Sequence, residues 1–147
     1  MFKTEDFEKM HWHDNAIHGF RILEGNDGCA GQLLFDIDYI DEWINGSGSS
    51  FNFKITPSDI TFHDVSDLVI SINYAALPAA IQPMCIQEIK REVLVYPNGH
   101  SSFNWKIELN WPFNSFYEFR ASGFTQVPRM HAVYSESQYL SPEKRTP

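Results

Sequence analysis

Cysteine is scarce in this chain: the 147 residues include two, Cys29 and Cys85, far apart and neither in a C-x-x-C pair. That excludes a disulfide framework and a thiol-based metal or redox motif, and leaves two reduced thiols as the expectation. Long apolar runs are missing as well. No segment approaches the roughly 18 uninterrupted apolar residues that cross a bilayer. The opening MFKTEDFEKMHWHDN mixes charges with aromatics where a secretory signal needs an apolar stretch. A cytoplasmic location is the expectation. Basic side chains are outnumbered, with 11 Lys and Arg against 19 Asp and Glu and a net charge of -8. That sign disfavours nucleic acid and anionic membranes as partners and suits a basic protein. Helix has little room, because Pro57, Pro78, Pro83, Pro97, Pro112 and Pro128 punctuate the chain and no long 3.6-residue stripe survives between them. At most one turn near residues 41–45 and another near residues 5–10 are expected.

Aromatics are plentiful: 12 Phe, 6 Tyr and 4 Trp in a chain that is 43% hydrophobic supply a folded core for one domain. Their spacing is two. Phe103, Trp105, Ile107, Leu109 and Trp111 alternate with Asn104, Lys106, Glu108 and Asn110, the pattern of a half-buried antiparallel strand. Leu33, Phe35, Ile37 and Tyr39 repeat it, and further strands are expected at residues 51–55, 60–63, 67–73, 86–96 and 116–127. Loops are expected at residues 25–31, 46–50 and 75–83, where Gly, Ser, Pro and small residues gather. The fold class is therefore mainly β: a single antiparallel domain over residues 1–134, sandwich or curled barrel-like sheet, with seven or eight strands and little helix. Residues 135–147 read as a polar, poorly ordered tail.

One hairpin can be placed in register. A two-residue Asn98-Gly99 loop would put Val93 and Ile89 on the polar face. A three-residue loop, Pro97-Asn98-Gly99, pairs Val93 with Phe103, Arg91 with Trp105 and Ile89 with Ile107 instead. The second arrangement gathers Ile89, Val93, Phe103, Trp105 and Ile107 on the buried face. Its cost, Lys90 facing Lys106 and Glu88 facing Glu108, is offset by a diagonal Lys90–Glu108 contact.

Two segments could carry function. His11, His13, Asp14 and His18 form the densest set of metal-ligand types, with Trp12 among them. The competing reading makes Trp12 a core anchor with polar neighbours in solvent, and no H-E-x-x-H or second ligand cluster supports a metal. Asp36, Asp38, Asp41 and Glu42 precede Trp43 in a stretch without a basic residue. They belong to a half, residues 1–80, with 4 Lys and Arg against 13 Asp and Glu. Asp36 and Asp38 on one strand face suit a carboxylate pair or a binding surface, while the plainer reading is a solvated sheet face. Gly28 and Gly31 precede a strand, so they open no phosphate-binding helix, and no G-x-S-x-G elbow is present.

Taken together, WHDN at residues 12–15, GQLLFDIDYIDEW at 31–43, FKITPSDITFHDVSDLVISI at 53–72, WKIEL at 105–109 and FRASGFTQVPR at 119–129 resemble a family of short, uncharacterised bacterial proteins. That resemblance implies no particular activity, ligand or catalytic residue. The small acidic format with an N-terminal Trp-His-Asp is also similar to immunity proteins that neutralise bacterial toxins, which implies a protein partner. The expected function is thus a non-enzymatic binding module, of immunity or antitoxin type, without cofactor or metal. Trp12, His13, Asp14, Asp36, Asp38, Asp41, Glu42 and Trp43 are its candidate binding residues. The alternatives are a small metal-dependent enzyme or metal binder using His11, His13 and Asp14 or His18, and a binder of small apolar ligands inside the curled sheet.

Overall fold

The computed structural model describes residues 1–26, 30–46, 50–75 and 81–147. Residues 27–29, 47–49 and 76–80, the centres of the three expected loops, lie outside them, and with them Cys29 and Gly28. Among the described residues, period-two hydrophobicity becomes nine strands: β1 (Phe2–Lys3), β2 (Ala16–Leu23), β3 (Gly31–Asn45), β4 (Phe51–Ser71), β5 (Met84–Val95), β6 (Ser101–Trp111), β7 (Phe116–Ala121), β8 (Gly123–Pro128) and β9 (Val133–Ser135). All pairings are antiparallel within one sheet, so the mainly β class holds. Among the described residues, the helical elements bounded on both sides are two short 3-10 turns, Thr4–Lys9 and Pro142–Arg145. No helix among the described residues is long and apolar enough to cross a membrane.

The sheet curls until its ends meet. In the path β4-β3-β2-β5-β6-β7, the last strand pairs back with β4, which closes a ring of strands around the core. Closure removes the open edges that an unpaired sheet would expose. Segments 51–55, 60–63 and 67–73, expected as separate strands, are one long β4. One edge of β4 is matched by β3 along most of its length, while the other is shared in turn by β9, β8 and β7. Asp64 and Asp67, at φ +55 and +52, let it bend where β8 gives way to β7. Asp tolerates this left-handed region better than most residues. Pro57 does not break the strand: its carbonyl accepts the Arg129 N–H at 2.9 Å, beyond the last residue of β8. The turn expected near residues 41–45 is instead the end of β3, because Trp43, Ile44 and Asn45 pair with Phe53, Asn52 and Phe51.

The odd-loop register holds pair for pair. Ile89 faces Ile107, Arg91 faces Trp105 and Val93 faces Phe103, with Gly99 at φ +86 closing the turn and Lys90 Nζ 2.6 Å from Glu108. Val93 shares that face but is 64% exposed, because this end of the hairpin runs past the core. Arg91 caps the gap, its guanidinium 4.1 Å from the Phe7 ring centroid and 4.5 Å from that of Phe103.

Inside the ring, Phe35, Phe62, Trp105, Tyr117 and Phe119 are fully buried. They meet edge to face, with centroids 4.8 Å apart for Phe35–Tyr117 and Phe62–Phe119. The curled sheet is thus filled by its own aromatic side chains. A second, smaller cluster joins Ile40, Phe53 and Ile55 to Leu140. Leu140 belongs to the segment expected to be a poorly ordered tail, yet it is buried and packs the C-terminal segment onto the sheet.

Candidate functional site

The acidic strand divides into two parts that behave differently. Asp36 and Asp38 lie in the middle of β3, beside β2 and β4, where the C-terminal segment crosses. Asp38 is 0% exposed. Its Oδ2 accepts the Leu140 N–H at 2.8 Å and lies 2.8 Å from His18 Nε2, and its Oδ1 accepts Arg145 Nε–H at 2.9 Å. Arg145 spans both carboxylates, donating also to Asp36 Oδ1 at 2.5 Å and Oδ2 at 3.2 Å, and Arg129 donates to Asp36 Oδ1 at 2.6 Å. Burial pushes the Asp38 carboxyl up, but His18, the Leu140 amide and Arg145 together outweigh it and hold the group below its ordinary value. The expected exposed acidic pair is therefore an ion-paired anchor for the chain's end. His18 is committed to it, with the Tyr139 ring edge-on at 6.2 Å.

Asp41, Glu42 and Trp43 lie further along, where β3 and β4 extend toward their connection. All three are exposed. A bulge between Ile40 and Glu42 resets the strand so that Trp43 pairs with Phe53. Its ring is 44% exposed, as is that of Phe51 at 46%, and it packs edge-on against Phe53 at 4.9 Å and Phe51 at 5.8 Å. Asp41 accepts the Thr56 hydroxyl. Among the described residues, neither Asp41 nor Glu42 has a Lys or Arg in ion-pair contact.

The N-terminal cluster does not converge on one point. Trp12 is core: it is buried between Phe7 and Phe124, and its Nε1–H donates to Gln126 at 2.9 Å. Residues 11–15 form a turn rather than a strand, so His11 and His13 do not share a strand face, and His18 faces Asp38 instead. Among the described residues, no three His, Cys, Asp or Glu side chains are grouped to hold a metal ion.

Asp14 takes a different setting, at φ +63 with its N–H on the Ile86 carbonyl at 2.8 Å. Its carboxylate accepts from Asn110 at 2.9 Å, Gln138 at 3.4 Å and the Cys85 thiol at 3.7 Å, and Oδ2 stands 3.4 Å from His13 Nδ1. Burial, with Asp14 adding to it, pushes the Cys85 thiol up to about 11. A thiol so placed is a neutral donor and a poor nucleophile. Sequence reasoning missed Cys85, Asn110 and Gln138 as neighbours of Asp14 and Arg145 as the partner of Asp38, since each contact joins distant segments. Comparison with protein-family models, curated proteins and solved structures finds no match for this chain.

Proposed function

We propose that the protein is a non-enzymatic binding module that takes a basic protein partner at the far end of the β3–β4 hairpin, with Trp43 and Phe51 as apolar anchors and Asp41 and Glu42 as the attracting charges. The observation that carries this reading is Trp43 itself: a Trp kept half in solvent, supported from behind by Phe53 and preceded by two exposed carboxylates, Asp41 and Glu42, that have no Lys or Arg in ion-pair contact among the described residues, although Lys54 stands opposite Glu42 on β4. Aromatic residues of this kind dominate the energetics of protein interfaces. Complementary charge raises the rate at which a partner is found. Asp36 and Asp38 take no part, because Arg129 and Arg145 already satisfy them. A partner-neutralising role of the immunity or antitoxin type is the form of binding most in keeping with a small acidic module, and cytoplasmic residence goes with it.

The test is copurification from the native cell with wild-type protein and with the Trp43→Ala, Phe51→Ala variant as bait. A basic protein retained by the wild type and lost from the variant supports the reading. A partner retained equally by both contradicts it.

A further inference from the structure

The ring of strands is joined least completely between β2 and β5, where the register holds two pairs, Ala16 with Cys85 and Ile17 with Met84. Beside this seam lies a cavity of about 420 Å³, within the ~300 to 1,000 Å³ typical of small-molecule sites. We propose that this cavity is a binding site for an organic ammonium group, with Asp14 as its counter-ion and Trp111, Phe113 and Tyr139 as its aromatic walls. The rings of Trp111 and Phe113 pack edge to face, 5.4 Å apart at 81°, and both line the cavity together with Tyr139. Aromatic ring faces attract cations, and sites lined by several aromatic rings recognise alkylammonium ions.

The charge balance of the cavity selects a cation. Among the described residues that line it, Asp14 is the only Asp, Glu, Lys, Arg or His, and the donors it receives from Asn110, Gln138 and Cys85 are all neutral. Its nearest cationic candidate, His13, is 60% exposed and does not line the cavity. Asp14 is also preset: its backbone is fixed by the N–H bond to the Ile86 carbonyl, which holds the carboxylate at the cavity without further ordering. The buried Trp111 indole N–H, which has no partner among the described residues, provides a reporter beside the cavity. The ammonium group can come from a free amine or from a lysine side chain of a protein.

The test is a two-dimensional amide NMR titration of the full chain with tetramethylammonium, n-butylammonium and N-acetyl-lysine methylamide, using n-butanol as the neutral control. Saturable shifts at the Trp111 indole and the Asn110 and Gln138 side-chain amides are expected with the cations, and affinity about tenfold weaker for n-butanol. Asp14→Asn keeps the shape and tolerates the left-handed backbone, and should weaken cation binding about tenfold. Phe113→Ala removes an exposed ring and should weaken it about threefold with the rest of the spectrum unchanged. Tighter binding of the lysine derivative than of n-butylammonium assigns the site to a protein side chain, and the reverse order to a free amine. Absence of saturable shifts up to about 50 mM probe, equal affinity for n-butanol, or undiminished binding by a folded Asp14→Asn protein would overturn the proposal. Should Asp14→Asn fail to fold, the n-butanol and Phe113→Ala comparisons decide.

Discussion

Asp38 and Arg145 are 107 residues apart in the chain and 2.9 Å apart in space, and no local pattern connects them. The alternation of residues 33–39 correctly places Leu33, Phe35, Ile37 and Tyr39 inside and Asp36 and Asp38 on the other face. That other face is not water, because Arg145 and Leu140 cover it. Removing Arg145 takes the guanidinium from a buried carboxylate that keeps His18 and the Leu140 amide, and breaking a buried ion pair costs more than the pair's net contribution. Arg145→Ala should therefore lower the unfolding free energy by about 3 kcal/mol in a denaturant titration. Since the folded Asp38 carboxyl lies below the ordinary 3.8, its stabilising contribution is complete above that value and is lost as pH falls through the lower, folded one. The difference between wild type and Arg145→Ala should accordingly be present above about pH 4 and shrink below it. Trp105 is the contrasting case, where the sequence reading was sufficient. It is fully buried, and Trp105→Ala should cost about 3 to 5 kcal/mol, against about 1 kcal/mol for the half-exposed Trp43→Ala.

Elements were legible where period two ran unbroken and turn chemistry agreed with it. The β5–β6 hairpin is the clearest instance: parity excluded the two-residue loop, and Gly99 takes the left-handed position that the longer loop requires. A Cβ added at Gly99 meets nothing within 4 Å, so Gly99→Ala should cost the conformational penalty alone, about 1 to 2 kcal/mol by thermal or chemical unfolding. β4 was legible only in pieces. Asp64, Asp67 and Pro57 look like breaks in a linear reading, while in the ring they are places where a single strand exchanges one neighbour for the next. The short strand β9 and the residues that pair β2 with β5 carry no signal of their own, because their geometry is imposed by the strands beside them. With two register pairs at that seam against the long β3–β4 ladder, amide hydrogens of Ile17 and Met84 should exchange before those in the middle of β3.

At the scale of the whole molecule, the C-terminal segment changes how the acidic half presents itself. By sequence, the Asp36–Glu42 stretch is one cluster in a half with 13 acidic residues. In the fold, Arg129 and Arg145 withdraw two of its carboxylates, leaving Asp41 and Glu42 beside an exposed Trp43. A chain ending after Ser135 would lose both Arg145 and Leu140, and should unfold at lower denaturant than Arg145→Ala alone. The account's central claim is that Trp43, Phe51, Asp41 and Glu42 form a partner-binding surface whose charge attracts and whose rings hold. Its most direct measurement is the kinetics of binding to the basic partner identified by copurification, at low and high salt. For the Asp41→Asn, Glu42→Gln variant the association rate should fall at low salt and converge on the wild-type rate at high salt, where screening shortens the Debye length to about 3 Å at 1 M. For Trp43→Ala the dissociation rate should instead rise by about tenfold or more at both salts. Wild-type association and dissociation rates for both variants at both salts would contradict the account.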